Sequence, residues 1–111
     1  MHIWQLSRVL VNEIYDLMKD CKDWGFRNQI QRAAISIMNN IAEGFESGSN
    51  GKFIYYLKIS RGSCSEVNSM LFLCEDFKLC EIKKRIKMQD TIKLISSGCF
   101  NLIKSLERKR D

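Results

Sequence analysis

Proline is absent from this chain of 111 residues, and only six glycines and one histidine occur. Proline is the strongest breaker of helices, so its absence suits a helical chain. The lone histidine, His2, has no partner at the spacing of a zinc site, so no metal is expected. No segment approaches the roughly 18 apolar residues that span a bilayer. The length allows one domain with one core, and an all-α fold without a cofactor is the simplest interpretation.

Cysteine usage and the first residues indicate the compartment. The five cysteines are odd in number, and none of them forms a C-x-x-C pair. Cys64, Cys74 and Cys99 fall at apolar positions of helical stripes, which is typical of small buried hydrophobic side chains. The first residues lack a basic region followed by an uninterrupted apolar run, so a secretory signal is not expected. We therefore expect a cytoplasmic protein.

Hydrophobic periodicity divides the chain into four helices, at about residues 3–22, 26–44, 52–78 and 82–108. The apolar residues of the last two helices alternate spacings of four and three, as in a heptad seam. Gly44 is expected to end the second helix in the left-handed conformation, and Ser49 or Asn50 to cap the third. Short connections favour antiparallel neighbours, so the sequence predicts an up-down-up-down four-helix bundle.

The second helix has apolar side chains on two separate faces. One face, which includes Ile30, Ile37 and Ile41, suits the core. The third helix has a second, partly apolar stripe of its own. A small bundle has one core, so the second stripes require another surface, and we predict that they form the interface of a homo-oligomer. The predicted interface residues are Ile35, Met38, Ala42, Phe45, Tyr56, Ile59, Met70 and Leu73.

A run of small residues interrupts the third helix at Ser60, Gly62 and Ser63. Glycine in the middle of a helix costs about 1 kcal/mol relative to alanine. We expect close approach of a neighbouring helix to offset this cost. The alternative is a kink without a packing role.

Two ordered motifs resemble those of a known family. Residues 29–37 read Gln-Ile-Gln-Arg-Ala-Ala-Ile-Ser-Ile, and residues 40–44 read Asn-Ile-Ala-Glu-Gly. They are similar to the Q-I-R-R-A-x-x-S-I…N-I-A-E-G signature of the four-helix bundle proteins encoded in intervening sequences of bacterial 23S ribosomal RNA genes, the S23-like family. Residues 53–57 and 61–66 are similar to its later F-x-x-F-L and G-S-x-x-E segments. Gln31 departs from the pattern, because the family commonly has a basic residue there, and the last 30 residues match only in pattern.

The resemblance implies a cytoplasmic bacterial protein that assembles into a ring-like homopentamer of bundles. It also implies similarity to the accessory proteins of diversity-generating retroelements, which bind a reverse transcriptase and nucleic acid. For most members no biochemical activity is established. Several polar or small residues of the motifs are predicted to tie the second helix to the third rather than to perform chemistry. They are Asn40, Glu43, Gly44, Gly62, Ser63 and Glu66.

The net charge of +5 resides entirely in residues 81–111, which contain nine basic and four acidic side chains. Clustered cations attract polyanions through counterion release. The alternatives are a solvated helix face and, at the end of the last helix, a favourable interaction of cations with the helix dipole. The predicted nucleic-acid-binding residues are Lys83, Lys84, Arg85, Lys87, Arg108, Lys109 and Arg110.

Catalysis has little support in the sequence. No glycine loop that would cradle phosphate and no histidine base is present, and Ser63 and Cys64 lack a partner that would activate them. We therefore predict a non-enzymatic, oligomeric adaptor that binds RNA, DNA or a nucleic-acid enzyme. The alternative is a purely structural protein-interaction ring without nucleic-acid binding. Neither hypothesis includes a membrane or a small-molecule substrate.

Overall fold

The computed structural model describes residues 1–109, and within these residues it contains four α-helices and no β-strand. The helices are α1 (His2–Met18), α2 (Trp24–Phe45), α3 (Asn50–Asp76) and α4 (Ile82–Arg108). The all-α prediction is confirmed. The largest difference in bounds is at α1, which ends at Met18 instead of near residue 22.

The helices pack side by side as an elongated body of 47 × 23 × 18 Å. α1 and α3 each pack against both α2 and α4. Asn50 at the start of α3 donates to the Lys109 carbonyl after α4, and Gln29 near the start of α2 donates to Glu66 in the second half of α3. Trp4 at the start of α1 lines a depression with Phe45 at the end of α2. Sequential helices are therefore antiparallel, in keeping with a four-helix bundle.

The core consists of one apolar stripe from each helix. The face of α2 that the sequence assigned to the core, with Ile30, Ile37 and Ile41, is fully buried. Most positions of the predicted α3 and α4 seams are buried as well, whereas Phe53, Leu102 and Leu106 are half-buried. The side chains with no exposed surface include Leu10, Ile14, Met18, Leu57, Val67, Leu71, Met88 and Ile95.

Side-chain caps fix the starts of the two middle helices. The Asp23 carboxylate accepts a hydrogen bond from the Phe26 backbone N–H at 3.1 Å. The Ser49 hydroxyl accepts one from the Lys52 N–H at 3.2 Å, so Ser49 is the cap of α3. Each bond satisfies a backbone donor that the first turn of a helix leaves without a partner.

Gly44 lies inside α2 rather than at a left-handed helix end, so the expected C-cap is wrong. The left-handed glycine is Gly48, with φ of 85°. A Cβ at Gly44 would lie 2.7 Å from a ring carbon of Phe53 and 3.1 Å from the Cβ of Tyr56. Gly44 therefore allows α3 to approach α2 closely.

The small residues of α3 divide between two roles. Ser60 donates a hydrogen bond to the Ile37 carbonyl at 2.9 Å, and Ser63 donates one to the Ser36 hydroxyl at 2.8 Å, so both face α2. Gly62 faces solvent, and a Cβ there would meet nothing within 4 Å. The predicted packing role is wrong for Gly62. On α4, Gly98 packs against Ile3 of α1, a close approach that the sequence analysis missed.

Four cysteines, Cys21, Cys64, Cys74 and Cys99, lie in the core as free thiols. Burial raises the pKa of Cys64 and of Cys74 from the ordinary value of 9.0 to about 12, and that of Cys99 to about 11. Because the folded pKa lies above the ordinary value, the protonated thiols are favoured, and their stabilising effect is lost only as the pH rises above about 9. They pack as small hydrophobic side chains.

The surroundings of Gly44 and Gly62 predict opposite effects on stability when each glycine is replaced by alanine. Gly62→Ala should raise the free energy of unfolding by about 0.5–1 kcal/mol, since an exposed helical glycine gives way to a better helix former. Gly44→Ala should lower it by about 1–3 kcal/mol, because the added methyl overpacks against α3. Urea unfolding at matched protein concentration measures both values. Equal effects of the two substitutions would contradict the assignment.

The thiols predict an order of alkylation at pH 8. Cys64, Cys74 and Cys99 should react with iodoacetamide far more slowly than Cys80, because their sulfur atoms are sequestered in the core, whereas Cys80 is only half-buried. Mass spectrometry of time points measures the order, and in 8 M urea all five should react alike. Native modification of Cys64 as fast as that of Cys80 would show that the core opens.

Candidate nucleic-acid and self-association surfaces

Three of the predicted nucleic-acid-binding lysines lie together. Lys83, Lys84 and Lys87 line a cleft of about 430 Å³ between the end of α1 and the start of α4. Leu17 and Leu79 line the same cleft and give it an apolar floor. The arrangement presents ammonium groups around an apolar depression, which we call the lysine cleft.

Acidic groups reduce the charge of the lysine cleft. The Lys84 ammonium lies 3.7 Å from a carboxylate oxygen of Glu13, and both side chains are partly exposed. Glu81 also lines the cleft. Lys83 and Lys87 are exposed. They are the cations of this cleft that are freest to meet an anion.

Arg85 does not belong to this basic surface. Its side chain is only 13% exposed, and its guanidinium bonds to the Glu75 carboxylate and to the Gln89 side-chain oxygen. The same guanidinium lies 4.6 Å from the centre of the Phe72 ring. Because these contacts join α4 to α3, Arg85 has a bridging role, which corrects its assignment to nucleic-acid binding.

The second predicted cluster lies at the other end of α4. Arg108 is exposed in the last turn, and Lys109 is exposed just after it. Arg110 lies outside the described residues. The 21 residues from Lys87 to Arg108 correspond to about 32 Å along a helix. The two clusters therefore form separate patches.

A half-buried apolar stripe runs along α2 on the side of α1. Ile35, Met38, Ala42 and Phe45 are spaced by three and four, and Phe45 is 62% exposed. Ala42 and Phe45 line a depression of about 270 Å³ together with Trp4 of α1 and other residues. We call this surface the α1/α2 face. It is the unburied second face that the sequence predicted for α2.

Gln31 continues the same stripe one turn toward the start of α2. It is 8% exposed, and within the described residues its Nε2 is the one buried side-chain nitrogen or oxygen without a hydrogen-bond partner. Such a group typically costs 1–3 kcal/mol. This unsatisfied polar group thus borders the apolar α1/α2 face.

The second predicted stripe, on α3, lies on a different side of the bundle. Tyr56 packs beside Gly44 on the α2–α3 seam. Ile59 is half-buried and Leu73 is exposed. Met70 is only 7% exposed, because it packs into the core, so its assignment to an outer interface is corrected.

Polar motif residues line the α2–α3 seam. The Asn40 amide donates to the Ser36 carbonyl at 2.9 Å and to the Ser36 hydroxyl at 3.0 Å. Gln29 donates to the Glu66 carboxylate at 3.2 Å. Glu43 is exposed and has no part in these hydrogen bonds. The seam ties two helices together, and Asn40 bonds within its own helix rather than to its neighbour.

Sequence reasoning missed a face between α3 and α4. The Arg61 guanidinium and the Lys104 ammonium lie 5.0 and 5.4 Å from the centre of the Phe100 ring. With the Arg85–Phe72 pair, this makes two cation–aromatic stacks. Between them lies a polar groove of about 330 Å³ whose lining includes Ser65 and Lys93. The seven-residue spacing of Phe72 from Ser65, and of Phe100 from Lys93, was the available signal.

Two features are absent from residues 1–109. No helix there is long and apolar enough to cross a membrane. No group of three histidine, cysteine or acidic side chains is arranged to hold a metal ion in that part of the chain.

Comparison with known proteins gives a family and a fold. The model of the family described as 23S rRNA-intervening sequence protein matches residues 1–100. A crystal structure of a protein of unknown function from the S23 ribosomal protein family of Bacteroides thetaiotaomicron VPI-5482 is similar, with a TM-score of 0.84 and 22% identity over 92% of this chain and 98% of that chain. No curated protein matches. The chain belongs to the 23S rRNA-intervening sequence protein family.

Proposed function

We propose that this protein is a non-catalytic, self-associating binding protein whose basic α4 surface associates with nucleic acid. The observation that carries the proposal is the convergence of Lys83, Lys84 and Lys87 on one cleft. These lysines occupy the first two turns of α4, which contain no acidic residue of their own after the N-cap Glu81. Cations at a helix N-terminus oppose the helix dipole, so helix stability does not account for them.

Binding through the lysine cleft would be weak and sensitive to salt. For a single strand, the logarithm of the affinity falls with the logarithm of the salt concentration by about 0.7 per phosphate neutralised. Three contacts correspond to a slope of about −2, or about 20-fold between 50 and 200 mM salt. Such a surface provides sequence-tolerant association rather than recognition of a particular site.

Self-association through the α1/α2 face would increase the avidity of this weak contact. The α1/α2 face presents the exposed Phe45 and the half-buried Ile35, Met38 and Ala42. Gln31, whose Nε2 lacks a partner, continues this face by one turn beyond Ile35. A second copy would cover this surface, and each added copy would contribute another lysine cleft. The resemblance described above suggests five copies in a ring, in the cytoplasm, beside a nucleic-acid enzyme such as a reverse transcriptase.

A second candidate function is a structural ring without nucleic-acid binding. The ion pair of Lys84 with Glu13 and the presence of Glu81 favour it, since they lower the charge of the lysine cleft. The two functions share the α1/α2 face and differ only in the role of the lysines.

Neutralising the lysine cleft tests the nucleic-acid proposal. Lys83→Gln, Lys84→Gln and Lys87→Gln together should weaken binding of a labelled 20-nucleotide oligo-uridine at 50 mM salt and reduce the salt slope by about 2. Fluorescence anisotropy across salt concentrations measures both quantities. The matched control removes the same charge elsewhere, at Lys19, Lys22 and Lys52, and should change the slope much less. Unchanged binding by the cleft variant would exclude this cleft as the site.

A charge on the α1/α2 face tests self-association. Met38→Glu should convert the assembly into monomers, because an ionised carboxylate would have to be buried in an apolar interface. Sedimentation velocity at 0.1 and 1 M salt measures the mass, and the wild-type assembly should persist at high salt. Val9→Glu, at an exposed apolar position of α1, is the control and should leave the mass unchanged. A monomeric wild type would contradict the proposal.

A further inference from the structure

The groove between α3 and α4 has an aromatic ring at each end. Phe72 is 49% exposed and Phe100 is 42% exposed, although both have cationic neighbours against their rings. Arg61 of α3 reaches across to Phe100 of α4, while Arg85 of α4 reaches across to Phe72 of α3. The two cation–aromatic pairs are thus reciprocal, and about half of the surface of each ring remains exposed beside its cation.

Hydrogen bonds across the seam hold this face in place. Arg61 donates to the Ser96 hydroxyl at 3.3 Å, and Gln89 donates to the Asn68 carbonyl at 3.1 Å. The Arg85–Glu75 ion pair closes the same seam. Both stacks are therefore built on two helices that are fixed relative to each other, and little ordering is required when a ligand binds.

The charge of this face suits an anion. Lys58 and Lys93 are exposed, at seven-residue spacing from Ser65 and from Phe100. Asp90 lines the groove as an opposing charge. Glu107 lies 3.9 Å from Lys104 and offsets it, and Glu75 offsets Arg85. The remaining balance over the face is positive.

The distance between the stacks suits a short stretch of nucleic acid. Arg61 lies level with Phe100, and Phe72 lies 11 residues farther along α3, which is about 16 Å. At about 3.4 Å per stacked nucleotide, this length corresponds to about five nucleotides. Polar side chains between the stacks, among them Ser65, Asn68 and Ser96, offer hydrogen bonds along it.

We infer that the α3–α4 groove binds single-stranded nucleic acid, with unpaired bases stacked on Phe72 and Phe100 and phosphates beside Lys58 and Lys93. The inference rests on the proposed function and specifies its ligand. In a duplex the faces of the bases are covered by one another, so the bases of a single strand stack on a protein ring at much lower cost. The rings distinguish this groove from the lysine cleft, whose lining has lysines and leucines but no aromatic side chain.

Removal of both rings tests the inference. The Phe72→Leu, Phe100→Leu variant keeps apolar side chains but no ring, and it should bind labelled 20-nucleotide oligo-uridine at least about tenfold more weakly at 50 mM salt. Its affinity for a labelled 20-base-pair RNA duplex should change less than twofold. Phe77→Leu is the matched control, since Phe77 is an exposed ring packed against Phe26 at the end of the bundle, and it should bind as the wild type does.

The outcomes separate this inference from the proposed function. If the ring variant binds oligo-uridine as the wild type does, while the lysine-cleft variant loses binding, the inference fails and the proposed function stands. Equal losses for single strand and duplex, or a change of oligomer mass in sedimentation, would also overturn it. A wild type that binds neither probe overturns both. Circular dichroism checks folding, and Phe100→Leu alone serves if the double variant is unfolded.

Discussion

The burial of one apolar stripe from each of four helices is the constraint on which the rest of this structure depends. Ile14, Ile37, Leu57 and Ile95 have no exposed surface, and the stripes they belong to fix the rotation of each helix about its axis. Once the rotation is fixed, every other side chain is assigned to a seam between two helices or to an outer face. The α1/α2 face, the lysine cleft and the α3–α4 groove are therefore consequences of the core.

Two seams of the bundle differ in chemistry. The α2–α3 seam is close, because Gly44 admits the side chains of α3 and two serines donate hydrogen bonds to α2. The α3–α4 seam is bridged by longer side chains, with Arg61 and Arg85 reaching across it. A polar groove of about 330 Å³ lies along this bridged seam.

The basic side chains at the two ends of α4 differ in their relation to the helix dipole. At its start, lysines oppose the helix dipole and lie beside an apolar depression. At its end, Arg108 lies where the dipole favours a cation, so its position already has a structural reason. The helix dipole therefore explains the cation at the end of α4 but not the lysines at its start, and the proposed function rests on those lysines.

Periodicity by itself determined the four helices, the core stripe of α2 and the presence of a second apolar face, because helical spacing depends only on local geometry. The sequence motifs were also enough to indicate the family. Only the tertiary structure decided which neighbour each side chain meets. In the structure Met70 is buried in the core, and Arg85 joins α4 to α3. Gly62 faces solvent, and the Phe100 ring contacts Arg61. These outcomes depend on the rotation and separation of two packed helices, quantities that the spacing within one helix does not contain.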